Sequence, residues 1–254
     1  MAEGFSYKFS YDSSPYIRHE KKPKLGISIT LLLVIITVAI FLVQNIVDYT
    51  TLDKQTGVGW FTRTFGLIPN DVLHGEHVWS IFTNIFLHAP LWDGGLFHIA
   101  ANMLSLVFLG SFLERLISKK KLFWIYIISG IVASLFFIIL ASLFGSTALG
   151  ARLFGSPNVL AVGASGAIFG LAAVLMILTP KVPVYIFFIP IAMPLWVGML
   201  IMLIGLWAVS AVAGLPIGNS AHLGGFIAGL FYGIYLRTKY PKKVALIRQA
   251  FHKN

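Results

Sequence analysis

Three short segments place polar side chains of the kinds that do chemistry inside apolar surroundings. The first is FHIAANM, where His98 and Asn102 stand four residues apart and so share one helix face. The second is VGASGAIFG, with Ser165 between Gly163 and Gly166. The third is NSAHLGGFIAGLFYG, with His222 just ahead of Gly225, Gly229 and Gly233. Each has a bland reading: a His–Asn pair can be a hydrogen bond that packs helices, and a serine in a membrane helix can bond back to the carbonyl four residues earlier. Together they permit more. A neutral His222 could take the Ser165 proton as the oxygen attacks a carbonyl, then return it to a leaving amine. Asn102, His98 and the Ser165 backbone N–H could donate to the oxyanion, one such donor being worth about 2.7–4 kcal/mol. Phe169, one turn after Ser165, could pack on the His222 ring and hold its orientation.

The remaining inventory removes competing chemistries. No Asp or Glu follows Glu114, so an aspartyl intramembrane protease, which needs two embedded carboxylates, is excluded. HGEH at 74–77 lacks the HExxH spacing of a zinc protease. The absence of cysteine removes disulfides, thiolate zinc sites and a cysteine nucleophile. A Ser–His–Asp triad could draw only on carboxylates in an outer loop or at the far end of the second apolar run. A serine–histidine dyad remains, with no metal and no cofactor expected.

These side chains must be positioned by membrane helices. The 254 residues are 57% hydrophobic and only 11% charged, against roughly a quarter charged in a soluble domain. Runs long enough to cross a bilayer occupy 25–47, 96–113, 122–144 and about 195–213, with shorter apolar runs at 164–179 and 221–236. The expected fold is an all-α polytopic membrane protein of six transmembrane helices over 25–236. A cytoplasmic tail (1–24) precedes it, a long outer loop spans about 48–94, and a basic cytoplasmic tail (237–254) follows. Pro183, Pro190 and Pro194 keep 183–194 from extending the fifth helix, and the aromatic stretch VWSIFTNIFLHAPLW suggests a short interfacial helix in the outer loop. The first run, after a 24-residue polar tail and without a small-residue cleavage site, reads as a signal anchor. No internal repeat or ring of charges favours a transporter or channel.

Charge placement sets the orientation. With the N-terminus inside, 16 of the 19 Lys and Arg residues fall in inner segments and only Lys54, Arg63 and Arg152 outside, which is the positive-inside pattern. The net charge of +10 therefore reads as topology with anionic-lipid contact rather than as nucleic-acid binding. The expected location is the cell membrane, multi-pass, with both termini cytoplasmic. The small-residue face Gly166/Gly170 and the ridge Gly225/Gly229 are expected to pack together and bring Ser165 level with His222. The fourth and sixth helices, about 16 residues each, rise only about 24 Å. Both side chains would then line a wet depression below the outer surface.

The ordered set HIAAN, GASGAIFG and AHLGGFIAG resembles the rhomboid intramembrane serine proteases over roughly residues 55–236. The resemblance implies the six-helix rhomboid fold, Ser165 as nucleophile and His222 as its base. It also implies oxyanion support from His98 and Asn102, and stacking on the base by Phe169, where tyrosine is common. Gly110 and Glu114 in LGSFLERL match the family's GxxxE element, and Glu114 reads more plainly as a cap or ion pair at a helix end. The departures are Ser80 after Trp79, where many members have arginine, Asp93-Gly94-Gly95 before His98, and Ser118 in place of a glycine. The implied substrates are single-span membrane proteins cut near the outer end of their helix, at small residues with helix-destabilising residues nearby. A catalytically silent member that binds or escorts membrane helices is the alternative. Oligomeric state is not legible.

Overall fold

Apolar runs become helices at the expected places. The computed structural model describes residues 27–186, 189–215 and 217–251; the expected tail 1–24, the first two residues of the first expected span and residues 252–254 lie outside the described residues. The long helices are α1 (Ile29–Thr50), α5 (Gly95–Leu116), α6 (Lys119–Phe144), α8 (Ser165–Leu178), α9 (Leu195–Ala213) and α10 (Asn219–Lys239). Between α1 and α5 lie the short α2 (Trp60–Phe65), α3 (Pro69–Leu73) and α4 (Ser80–Thr83). Next follow α7 (Ala148–Phe154) before α8 and α11 (Pro241–Ala250) after α10. Among the described residues α1, α5, α6 and α9 are long and apolar enough to cross a membrane.

Two findings change the expected picture. Helix α8 has 14 residues, about 21 Å, so it is as short as the sequence suggested. Helix α10 has 21 residues, about 31 Å, and is not short. Its first turn is extended by Asn219 and Ser220, which are tied down: Asn219 Nδ2 donates to Ser210 Oγ at 2.8 Å and Ser220 Oγ to the Phe154 carbonyl at 2.7 Å. Its far end continues through Arg237 and Lys239, cations that suit a helix C-terminus. The proline stretch is an antiparallel hairpin of β1 (Pro183–Ile186) and β2 (Ile189–Pro194), pairing Pro183 with Pro194 and Val184 with Met193. Proline removes donors a helix would need, and the two strands are an addition to an otherwise all-helical fold.

Helix α8 is the centre. Nearly every residue from Gly166 to Leu175 is buried, with α10, α6 and α5 packed around it. The packing works through absent side chains. A Cβ on Gly225 would stand 1.9 Å from the Gly166 carbonyl oxygen, and one on Gly229 would stand 2.0 Å from that of Gly170. The Gly166/Gly170 face also admits α6: a Cβ at Gly166 would lie 2.4 Å from Ala133 Cβ and 3.3 Å from the Ala221 carbonyl oxygen of α10, and one at Gly170 2.2 Å from Ser129 Oγ and 3.1 Å from the Gly225 carbonyl oxygen. The α8 glycines thus admit α6, while the α10 glycines admit the α8 backbone. This is the small-residue strategy of helices that lack a hydrophobic drive to associate in lipid.

Glu114 caps a helix, but not its own. Its carboxylate accepts from Ser28 Oγ at 2.7 Å, Thr30 Oγ1 at 2.9 Å, and the backbone N–H groups of Ile29 at 3.1 Å and Thr30 at 3.2 Å. The two backbone N–H groups are among the donors that the start of α1 leaves unpaired, so α5 locks the entry of α1. Gly110, one turn earlier, leaves room for Thr30, whose Cγ2 would be 2.8 Å from an added Cβ. The GxxxE pattern is therefore one interhelical joint.

Candidate active site

Ser165 is the first residue of α8 and His222 the fourth of α10. Because α8 and α10 meet backbone to backbone at Gly166 and Gly225, the residues flanking that contact are held within hydrogen-bond reach. His222 Nε2 lies 2.8 Å from Ser165 Oγ. The Phe169 ring stacks on the imidazole with centroids 4.5 Å apart and planes 19° from parallel. Among the described residues, His222 Nδ1 is buried with no hydrogen-bond partner, so no carboxylate completes a triad here.

The backbone just before Ser165 needs glycine. Gly163 has φ +139°, and a Cβ there would sit 3.1 Å from His98 Nε2 and 3.7 Å from Ser165 Oγ. The bare Cα of Gly163 therefore faces both the Nε2–Cε1 edge of the His98 ring and the serine hydroxyl. His98 Nδ1 accepts from the Ala89 N–H at 3.3 Å, which puts the proton of the neutral ring on Nε2, the nitrogen nearest Gly163. Asn102 is buried, and its amide nitrogen donates to the His98 carbonyl at 2.9 Å, which uses one of its two N–H groups. The structure thus gathers Ser165, His222, Phe169 and His98 at one end of the bundle, with Asn102 one turn further along α5. Such a set can pass a proton between oxygen and imidazole and present N–H donors beside the same oxygen.

The loop between α1 and α5 braces this arrangement, through contacts the sequence reading missed. Leu67 and Ala161 form an antiparallel bridge, and the Gly163 N–H donates to the Asn84 carbonyl at 3.0 Å. Asn84 Nδ2 donates in turn to Ser134 Oγ on α6 at 2.9 Å. From α1, Gln44 Nε2 donates to the His88 carbonyl at 2.6 Å, Asn45 Oδ1 accepts from the Leu91 N–H at 2.7 Å, and Asp48 accepts from the Thr62 N–H at 3.0 Å. A readable signal existed: Gln44, Asn45 and Asp48 are polar residues at positions i, i+1 and i+4 of an apolar run. His88 is wholly buried beside His98, ring centroids 5.0 Å apart. Burial, reinforced by His98, pushes its pKa down to about 3, so the ring is neutral.

Sequence departures also find structural reasons. Gly94, the residue just before α5, takes φ +71°, and a Cβ at Gly95 would meet the Ala89 carbonyl oxygen at 2.0 Å. The Asp93-Gly94-Gly95 turn is thus a tight return of the loop onto the residue that holds His98. Trp79 Nε1 donates to the Thr64 carbonyl at 2.9 Å, and Ser80 is fully buried. The expected interfacial helix is reduced to α4 and a following 3-10 turn at Asn84–Phe86. In the same loop, potential ligand atoms of Asp71, Glu76 and His77 lie within 4.8 Å of one another, with Asp71 already ion-paired to Arg63.

The family model described as "Rhomboid domain" matches residues 75–239. The chain is 38% identical over 165 residues to RHOMBOID-like protein 1 of Arabidopsis thaliana, covering 64% of this chain and 35% of that protein. It is 32% identical over 246 residues to rhomboid protease AarA of Providencia stuartii, covering 90% of this chain and 80% of that one. A shorter match, 31% over 106 residues, covers 42% of this chain and 26% of the inactive RHOMBOID-like protein 8 of Arabidopsis thaliana. The matched region thus spans about a third of the first relative's length and most of AarA's.

Proposed function

The chain belongs to the rhomboid family of multi-pass membrane proteins, and from that premise we propose that it is a serine endopeptidase. It cuts a peptide bond in or near the outer end of a single-span substrate's transmembrane helix. The observation that carries this reading is the 2.8 Å approach of His222 Nε2 to Ser165 Oγ, with Phe169 stacked on the imidazole. In the reaction, Ser165 Oγ attacks the scissile carbonyl carbon as its proton passes to His222 Nε2. The tetrahedral oxyanion is met by the Ser165 backbone N–H, the first orphan donor of α8, and by N–H donors from His98 and Asn102. Collapse expels the amine, which takes the proton back from His222; water then repeats the sequence on the acyl-enzyme. With no acid behind His222, ring orientation falls to the Phe169 stack and the close α8–α10 contact. The inner location of both termini and the outward opening of the site are part of the proposal, supported by the asymmetry of Lys and Arg.

A catalytically silent role is the second reading, favoured by the match to a protein named inactive. One experiment separates the two. In active membranes, a fluorophosphonate should label the parent chain and neither Ser165→Ala nor His222→Ala. The parent alone should cleave members of a panel of single-span proteins. An unlabelled parent, or cleavage retained by either variant, refutes the dyad.

A further inference from the structure

At the end of the bundle opposite Ser165, α11 folds back beneath the helices. Arg248 Nη2 donates to the Ile177 carbonyl in the last turn of α8 at 2.6 Å, and the Phe251 ring meets Phe112 edge-on at 5.4 Å. Between α11 and the ends of α5, α6, α8 and α10 lies a cavity of about 190 Å³. Its deep wall is apolar, made by Leu116, Leu178, Leu236 and Val244. Its mouth carries Lys121 and Lys243 beside Tyr240, with Lys121 Nζ 4.4 Å from the Tyr240 ring centre.

Among the described residues the charge at this mouth has no carboxylate partner. Among the described residues no acidic side chain lines the cavity, and the sequence holds none after Glu114. Glu114 itself is committed to the start of α1 and, among the described residues, lies within ion-pair distance only of Lys119. Among the described residues, neither Lys121 nor Lys243 has a carboxylate within 4.0 Å. Two ammonium groups above an apolar recess match a ligand with an anionic head and a hydrocarbon body. The recess is too small for a protein element, and it lies at the basic end of the bundle, where anionic lipid is the abundant counter-charge.

We propose that this cavity binds an anionic membrane phospholipid. The headgroup phosphate sits between Lys121 and Lys243 and the first acyl carbons lie against Leu178, Leu236 and Val244. A lipid seated there bridges α11 to the end of α8, about 21 Å along that helix from Ser165. The proposal is independent of whether the serine is active.

The test is native mass spectrometry of the full chain in detergent, titrated with phosphatidylglycerol or phosphatidylcholine of equal chain length. The parent should bind phosphatidylglycerol at least about tenfold more tightly, a preference that Lys121→Gln/Lys243→Gln abolishes and Lys121→Arg/Lys243→Arg keeps. Lys120→Gln/Lys242→Gln removes the same charge from exposed residues outside the cavity and should change affinity less than about twofold. If the parent shows no preference, or both glutamine pairs lose it equally, the site is refuted in favour of diffuse surface charge. Full displacement of phosphatidylglycerol by an equal concentration of inorganic phosphate refutes the lipid in favour of a soluble anion. Should the double variant not fold, the exposed single change Lys243→Gln carries the test, and unchanged phosphatidylglycerol affinity overturns the proposal.

Discussion

Replacing Gly225 by alanine tests the joint on which the site rests. The new Cβ would lie 1.9 Å from the Gly166 carbonyl oxygen. An ordinary carbon–oxygen contact is about 3.3–3.6 Å, so α8 and α10 must part by about 1.5 Å locally. The obstruction is backbone, which cannot rotate away. Ser165 precedes Gly166 and His222 lies one turn before Gly225, so the strain falls on the 2.8 Å contact between them. Even two-thirds of that displacement carries it past 3.6 Å, where no hydrogen bond remains. A misplacement of about 1 Å typically costs about 100-fold in rate, and overpacking costs about 1–3 kcal/mol of stability. Gly205→Ala is the control, since nothing lies within 4 Å of its added methyl on α9. The assay is cleavage of a single-span substrate in proteoliposomes, paired with fluorophosphonate labelling and thermal unfolding. Gly225→Ala should lose about 99% of turnover and labelling, and Gly205→Ala should match the parent. If Gly225→Ala retains more than about a third of parental turnover, the helix contact does not set the Ser165–His222 distance, and the reasoning fails.

Three further outcomes follow from particular contacts. Phe169→Ala removes a stack worth about 1 kcal/mol and should lower kcat about fivefold with little change in KM, whereas Phe169→Tyr should keep activity; equal losses in both would show the ring only fills space. Glu114→Ala deprives the start of α1 of its four hydrogen bonds and should cost about 2 kcal/mol of unfolding stability while Ser165 labelling persists; unchanged stability would refute the joint. His88 has a folded pKa lowered to about 3 by burial and by His98, against about 6.5 unfolded. Below pH 6.5 the unfolded chain binds the proton and the folded one does not, so stability is full above pH 6.5 and falls as pH drops through this window. At about 1.4 kcal/mol per pH unit, acidification from pH 6.5 to 5 should cost about 2 kcal/mol. His88→Phe, which keeps a ring and cannot titrate, should be less acid-sensitive in chemical unfolding, and equal sensitivity would contradict the assignment.

The chemistry-bearing residues were legible because each is costly where it stands. A serine, two histidines and an asparagine inside apolar runs demand partners, and glycines every four residues announced which backbones would meet. Span positions followed from apolar runs to within a few residues, α10 included, though the added residues make that helix 21 long rather than about 16. There hydropathy understated the helix, because its opening turn is polar and closes on Ser210 and Phe154 rather than on lipid. The hairpin at Pro183–Pro194 was legible only as something other than helix: proline shows what a segment cannot be, and strand pairing depends on a partner the local pattern does not name. The loop contacts through Asn84, Leu67 and Gln44 were hidden for the same reason. They join residues 44 to 94 positions apart, and no periodicity encodes such distances.

Helix α8 shows how little backbone the site needs. Only 14 residues long and almost wholly enclosed, it is shorter than the 22, 26 and 21 residues of the α5, α6 and α10 helices packed around it. A helix start buried in apolar surroundings carries orphan donors that cost stability unless something accepts from them. Here the preceding strand-like segment is pinned at Ala161 and Gly163 by the loop, and Gly163 at φ +139° turns the chain sharply into the helix. The donors are thereby fixed in direction without being consumed. That is the condition for stabilising charge that develops during a reaction rather than charge already present. The positive φ at Gly163, open to glycine without strain, and the missing side chains at Gly225 and Gly229 are two halves of one device: the first aims Ser165 and its N–H, and the second delivers His222 to it.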